Sequence, residues 1–331
     1  MLDHSCWTIS YILASINISE TMTMRYENVI VFGPTGAVGG AAALEASKRG
    51  AKVWLAMRDT SKAISRITTS QEEAGKFTRV KADLSDPESI KAAIHLSAAK
   101  AAFVYLAFSG GMKSAVQAMK EAGIEYVVFL SSFTIKPDVK LHEIPIQAFI
   151  PFMHAQGEIA LEDIGMPHTA LRPGSFASNP FKMSMDASRT PWELYVYGDG
   201  HSTVDNIVPN DIGRVAGAVL VDRPSTEAKE IIYLYGPTLM SELKACNMIK
   251  NLLPNEVKVI QQTPEEWVDR MRAYGVPPPV LNYLVEVQTD NGPHGDLYAG
   301  PIAREGAANV KKYSGGEPTS FEDFVKVQGW K

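Results

Sequence analysis

Val29-Ile30-Val31-Phe32-Gly33-Pro34-Thr35-Gly36-Ala37-Val38-Gly39 is the segment from which the rest of the chain is interpreted. The apolar run Asn28–Phe32 reads as a buried strand, and the alanine-rich segment Ala37–Arg49 reads as a helix. Between them the glycines are spaced G-x-x-G-x-x-G. Glycine permits the tight turn and lets backbone N–H groups approach an anion closely, while the positive end of the helix dipole holds it. A strand before, a helix after and a further strand from Lys52 separate this pattern from incidental glycines.

Outward from the loop, strands are predicted over Lys52–Met57, Phe77–Ala82, Ala101–Ala107, Tyr126–Ser131 and Thr169–Leu171. Helices are predicted over Ser61–Ala74, Glu88–Leu96, Met112–Ala122 and Pro151–Ile164. Asp86 at the N-cap and Pro87 at the first helical position fix the start of the second of these intervals. Strands alternating with helices imply a parallel sheet covered on both faces, a Rossmann-type doubly wound α/β fold. Continuous apolar strands fit burial on both sides. After Arg172 the pattern loosens into turns at Pro173-Gly174, Asn179-Pro180, Gly198-Asp199-Gly200 and Pro277-Pro278-Pro279, with helices at Asp211–Val221 and Thr263–Tyr274. The expected organisation is an N-terminal extension outside the fold (1–24), a dinucleotide domain (25–172) and a smaller α+β substrate lobe (173–331), some of whose chain crosses back to the sheet.

The 331 residues are 45% hydrophobic and 21% charged, as in ordinary soluble proteins, and the formal net charge of −5 argues against a broad nucleic-acid footprint. Cys6 and Cys246 form no C-x-x-C pair, so neither a zinc knuckle nor a disulfide framework is expected, and a reducing, cytoplasmic setting is the simplest reading. No apolar run reaches the roughly 18 residues of a membrane span.

The second strand ends Ala56-Met57-Arg58, where an NAD enzyme usually carries an acidic residue for the ribose 2′-hydroxyl. Arg58 offers a planar cation to a 2′-phosphate, which favours NADP(H), and Asp59 sits one residue late. The ligand crevice of such folds lies at the carboxyl ends of the strands. That places Asp83 and Leu84 near an adenine, Ala107, Phe108 and Ser109 near a ribose and nicotinamide, and Ser131 and Ser132 at the end of the fifth strand.

Taken together, these residues resemble the NmrA-like family of atypical short-chain dehydrogenases/reductases, kin of the isoflavone-reductase-like enzymes. The resemblance runs from Asn28 to about Val327. It rests on Gly33-Pro34-Thr35-Gly36, Asp83-Leu84-Ser85-Asp86-Pro87, Phe129-Leu130-Ser131-Ser132, Leu171-Arg172-Pro173-Gly174-Ser175-Phe176 with Asn179, Asp211-Ile212-Gly213 and Glu317-Pro318-Thr319-Ser320-Phe321. It implies NADP in an extended pose along Gly33, Thr35, Gly36, Ala37, Val38, Gly39, Arg58, Asp83, Leu84, Ala107, Phe108, Ser109, Ser131, His154, Pro173, Gly174 and Phe176. The C-terminal lobe would form the substrate cleft. Classical relatives use Tyr-x-x-x-Lys, a phenol made acidic by a lysine. No such spacing occurs in this chain; by the resemblance, the lysine position falls on His154 and the tyrosine position on Ile150.

His154 and Glu158 are four residues apart on a predicted helix and are candidates for an acid–base dyad, joined by Ser131 and Ser132. No metal site is expected. Phe133, Phe152, Met153, Phe176, Phe181 and Tyr197 are candidates for a greasy cleft suited to a small hydrophobic natural product. Tyr197 and His201 flank a turn that would border it. Two functions remain open. One is a secondary-metabolite enzyme, transferring hydride to an imine or enone, or retaining NADP for acid–base cyclisation or isomerisation. The other is a non-catalytic NADP sensor that engages a regulatory partner.

Overall fold

A computed structural model describes residues 24–107, 111–288 and 298–327. In chain order its principal strands are β1 (Asn28–Phe32), β2 (Lys52–Met57), β3 (Phe77–Lys81), β4 (Ala101–Tyr105), β5 (Tyr126–Leu130), β6 (His168–Pro173), β7 (Trp192–Tyr197), β8 (Lys229–Leu234) and β9 (Val257–Gln262). Seven of them form one parallel sheet in the order β8-β6-β5-β4-β1-β2-β3. The order reverses between β1 and β4, and the crevice at such a switch point is where doubly wound folds take ligands.

The apolar strands divide their side chains between two faces. Val29, Val31, Val53, Leu55, Phe103 and Val128 pack on one face, and Ile30, Phe32, Trp54, Ala56, Val104, Val127 and Phe129 on the other. The first face is covered by α1 (Ala37–Lys48). The second is covered by α2 (Pro87–Ser97), α3 (Met112–Glu121) and α4 (Phe149–Ile164). Asp86 caps α2 from its side chain, with Pro87 in the first turn as the sequence predicts.

The predicted helix Ser61–Ala74 does not form as such. Buried Ile64 and Ile67 pin the segment, and Arg79 holds the carbonyls of Thr60 and Lys62 at 2.6 and 2.9 Å. Helix begins only at Thr69–Gln71, behind a Thr68–Gln71 capping box, and widens into a π-turn over Glu72–Lys76.

Beyond Arg172 the chain returns to the sheet twice. Helix α5 (Pro209–Val221) lies against α1, and β8 adds the edge strand beside β6. Side chains at Gly213 and Gly217 would collide with Ala41 and with the backbone of Ala42, so the α1–α5 approach depends on these glycines. Asp211, 1% exposed, accepts from Thr319 N at 2.6 Å, Thr319 Oγ1 at 2.9 Å and Arg214 Nη2 at 2.9 Å, tying the C-terminal segment to α5. The lobe proper has β9 parallel to β7, with Met185–Asp186 antiparallel to β7. Its core gathers α6 (Glu242–Leu252) and α10 (Phe321–Val327), including buried, free Cys246. Between them in sequence lie α7 (Pro264–Ala273), α8 (Pro278–Gln288) and α9 (Gly300–Ser314). Residues 1–23 of the expected extension, Cys6 among them, lie outside the described residues. Met24 does not lie outside the fold: Met24–Arg25 pairs with Asp222–Arg223. Among the described residues no helix is long and apolar enough to cross a membrane, and no cluster of three His, Cys, Asp or Glu is arranged for a metal ion.

Candidate functional site

The glycine loop has the geometry of an anion cradle. Gly33 sits at φ +68°, donates to Ala56 O at 3.2 Å and accepts from Gly36 N at 3.0 Å. Gly36 caps α1 in extended backbone with no side-chain bond, and the first turn carries no acidic residue. The first N–H groups of a helix have no intrahelical acceptor, so an uncapped, acid-free first turn suits an anion. Tyr105, at the end of β4 and 40% exposed, lays its ring where a Gly33 side chain would be. Thr35 and Gly36 are exposed, Ala37 is half-buried, and Val38 and Gly39 are buried.

Arg58 is exposed at the end of β2. Asp59 turns back to accept from Ser61 N at 2.9 Å and Ser61 Oγ at 2.6 Å, so its carboxylate serves the turn. Asp83 does the same with Ser85. Those bonds, with a smaller contribution from the nearby Arg58 charge, hold the Asp83 carboxyl below its ordinary range. Leu84 is core, and Ala107 is packed against the same cluster. Phe108 and Ser109 lie outside the described residues.

The expected His154–Glu158 dyad does not assemble. Glu158 is fully buried, and its carboxylate accepts from Ser131 Oγ (2.6 Å), Arg172 Nε (3.0 Å) and Arg172 Nη2 (2.7 Å). Burial alone would raise its pKa, but the bonds and charge of Arg172, helped by Ser131 and Lys229, hold it below the usual carboxylate range. Arg172 also donates to Tyr233 OH at 2.9 Å and to Ile135 O at 3.3 Å. Ser131 and Glu158 are therefore committed to a buried network linking α4, β5, β6 and β8. His154 Nδ1 is enclosed without a hydrogen-bond partner. Burial pushes its imidazole down to about 4, with the Glu158 charge opposing. It is a neutral ring at pH 7.

A cavity of about 310 Å³ opens at the carboxyl ends of β5 and β6, bordered by Ser132, Gly174 and Ser175. Ser132 Oγ shares a 2.9 Å hydrogen bond with Thr134 Oγ1. Phe133, Met183, Trp267, Met271, Tyr283 and Leu284 give the cavity an aromatic and aliphatic wall. Of the proposed cleft residues only Phe133 lines it. Phe152 packs beside Ile135, Leu141 and Ile144, and Met153 joins the main core on the α2–α4 face. Phe176 packs on the α1 side of the sheet, and Phe181 meets Phe324 in the lobe core. Tyr197 stands one layer back, edge-on to Trp267 with ring centroids 5.3 Å apart, and His201 is exposed. Aromatic type alone could not separate wall from core in this half of the chain.

The polar groups beside the cavity are not among the residues expected from sequence. Asp205, 1% exposed, accepts from Ser175 N, Gly236 N and Tyr298 OH, each at 2.8 Å. Burial pushes its carboxyl up to about 6 against those bonds. Asn206 follows at φ +48°, with neither amide atom hydrogen-bonded. Glu242 reaches the cavity from the first turn of α6, its Oε2 enclosed and unpartnered. Burial pushes this carboxyl up to about 7, opposed by a hydrogen bond to the Tyr197 backbone and by the Arg270 charge.

The chain is 38% identical over 323 residues to the nitrogen metabolite regulation-like protein bik4 of Gibberella fujikuroi, covering 91% of this chain and 96% of that one. Its fold resembles an NADPH-dependent quinone oxidoreductase (QOR2) of Escherichia coli, with a TM-score of 0.66 and 17% identity over 90% of this chain and 98% of the other. It equally resembles the triphenylmethane reductase of a Citrobacter species, solved with NADP(H), with a TM-score of 0.66 and 17% identity over 90% and 99% of the two chains. NmrA, a negative transcriptional regulator, aligns with a TM-score of 0.62 and 15% identity over 91% and 95%. The sequence pattern described as the NmrA-like family matches residues 25–325, and the chain belongs to that family.

Proposed function

We propose that this chain binds NADP(H) and uses it on a small hydrophobic molecule held in the cavity beside β5 and β6. The carrying observation is adjacency: the uncapped N-terminus of α1 and the cavity-lining residues Ser132, Gly174 and Ser175 lie at the same carboxyl edge of one parallel sheet. The residues present suit the cofactor. The first turn of α1 is free of acid and side-chain caps, a branched residue at Gly36 would stand in the anion's approach, and Arg58 is available to a 2′-phosphate. NADP(H) bound there would supply or accept a hydride. The protein's part would be to orient the acceptor and exclude water, because Ser131 is spent on Glu158, Glu158 is held by Arg172, and His154 is neutral. That favours an acceptor needing little acid help, such as an imine or enone, over acid–base cyclisation or isomerisation.

The second reading, a dinucleotide sensor without turnover, is favoured by the same missing proton donor and by the 38% identical relative, whose name is regulatory. One pair of measurements tests both. NADPH fluorescence titration reports binding, and NADPH consumption is then followed across a panel of hydrophobic imines, enones and quinones. Binding with turnover supports the enzyme, and binding with no turnover supports the sensor. Absence of binding overturns both.

A further inference from the structure

We propose, resting on the reading that the cavity is the ligand site, that Glu242 and Asn206 select a small aromatic molecule carrying a basic nitrogen. Glu242 is the only carboxylate among the described lining residues, which include no lysine, arginine or histidine. An anionic ligand would meet no cation among those described lining residues. Glu242 Oε2 is enclosed with no hydrogen-bond partner, and both amide atoms of Asn206, 1% exposed, are also unpartnered. Buried polar groups without partners are destabilising, so such groups around a cavity indicate a missing complement.

The chemistry of the complement follows from the two groups. An ammonium gives Glu242 a charge-assisted hydrogen bond and favours its ionised form. Asn206 can accept a second N–H and donate to a ligand carbonyl, ether or ring nitrogen. Trp267 and Tyr283 are among the lining residues, and aromatic rings attract a cation as well as an aromatic body. Three neighbours bear on the Glu242 charge. Arg270 of α7 favours ionisation, the Tyr197 backbone does so by a hydrogen bond, and Cys246, one turn along α6, is a neutral thiol raised by burial. Arg270 is engaged by Gln262 Oε1 (2.8 Å) and Met183 O (2.9 Å), but its Nη2 has no partner. Glu242 turning to Arg270 is the competing arrangement.

The test is calorimetric titration of the NADPH-saturated chain with three matched probes: tryptamine, its alcohol analogue tryptophol, and indole-3-propionate. Tryptamine should bind at least tenfold more tightly than tryptophol at pH 8, with indole-3-propionate weakest. Its affinity should rise about tenfold from pH 6 to pH 8 as Glu242 ionises, since an alkylammonium stays charged throughout. In Glu242→Gln the preference and its pH dependence should vanish while tryptophol binding remains. Asn206→Gly, which tolerates the backbone, should weaken all three probes together. Equal affinities in the parent chain, no binding of any probe, or a preference that survives Glu242→Gln overturns the proposal, and the first is what a Glu242–Arg270 pair would produce. NADPH titration of the same samples is read separately. A cofactor that fails to bind while the amine preference holds overturns the NADP(H) reading and leaves this one standing.

Discussion

Arg172 holds Glu158 through two parallel hydrogen bonds, Nε to Oε1 at 3.0 Å and Nη2 to Oε2 at 2.7 Å, with both side chains sealed from solvent. A buried pair of this kind is costly to break from one side, because the remaining charge is left uncompensated. Glu158→Gln is expected to cost about 3–5 kcal/mol in denaturant unfolding. Glu158→Gln with Arg172→Met should recover a large part of that loss. A single mutant as stable as the parent would show that the pair does not hold α4 to β6.

Gly36 is at φ −77°, a backbone any residue adopts, while an added Cβ would lie 3.3 Å from Gly33 O, a tight contact the turn must relieve by a few tenths of an ångström. Gly36→Val should stay folded by circular dichroism, with a lowered melting temperature, while losing NADPH fluorescence enhancement. Unchanged enhancement in the folded variant would give the loop another role.

Arg58→Ala should narrow the preference for NADP(H) over NAD(H). Loss of a charge-assisted phosphate contact is on the order of 1.5–3 kcal/mol, roughly ten- to a hundredfold in the affinity ratio. Titration of both dinucleotides into both proteins checks it. Equal affinities in the parent chain would remove Arg58 from the site.

His154 gives a pH signature. Its folded pKa, pushed down to about 4, lies below its ordinary 6.5, so the unfolded chain binds the proton more readily. The stability linked to the neutral ring is complete above pH 6.5 and is lost as pH falls through about 4. The parent chain should lose on the order of 1–2 kcal/mol more than His154→Gln over that window, in urea melts at stepped pH. Parallel profiles would mean that the imidazole is not desolvated. Because the ring is neutral and unpaired, His154→Ala should change turnover on any substrate found less than a catalytic lysine replacement would.

Strand positions were legible where a continuous apolar run could only be a strand buried on both faces, as in Asn28–Phe32 and Lys52–Met57, which form with the predicted boundaries. The glycine spacing and the Asp86–Pro87 start were legible because each has a single local cause. Ser61–Ala74 was misread because its helical spacing of apolar residues comes from two isoleucines anchoring turns. Lys229–Leu234 was not recognised as an edge strand because its partner, His168–Pro173, is remote in sequence. The family signatures Leu171-Arg172-Pro173 and Asp211-Ile212-Gly213 were legible as patterns but not as roles: Arg172 anchors Glu158, and Asp211 anchors Thr319. The polar groups of the cavity were illegible because Asn206 and Glu242 owe their character to desolvation, which no local spacing encodes.

The return of α5 and β8 to the sheet bears on how the molecule is made. While the chain emerges from the ribosome, the Gly-Ala face of α1 has no covering helix until residues 209–221 appear, and the β6 edge is bare until residues 229–234. Arg172 must wait 61 residues for Tyr233, and Asp211 waits 108 residues for Thr319. A fragment ending near residue 177 would hold every element of the anion loop yet expose an apolar helix face and an unpaired parallel strand, the features that lead nascent intermediates to aggregate. The sheet that carries the anion loop is thus covered and paired only in the nearly finished chain.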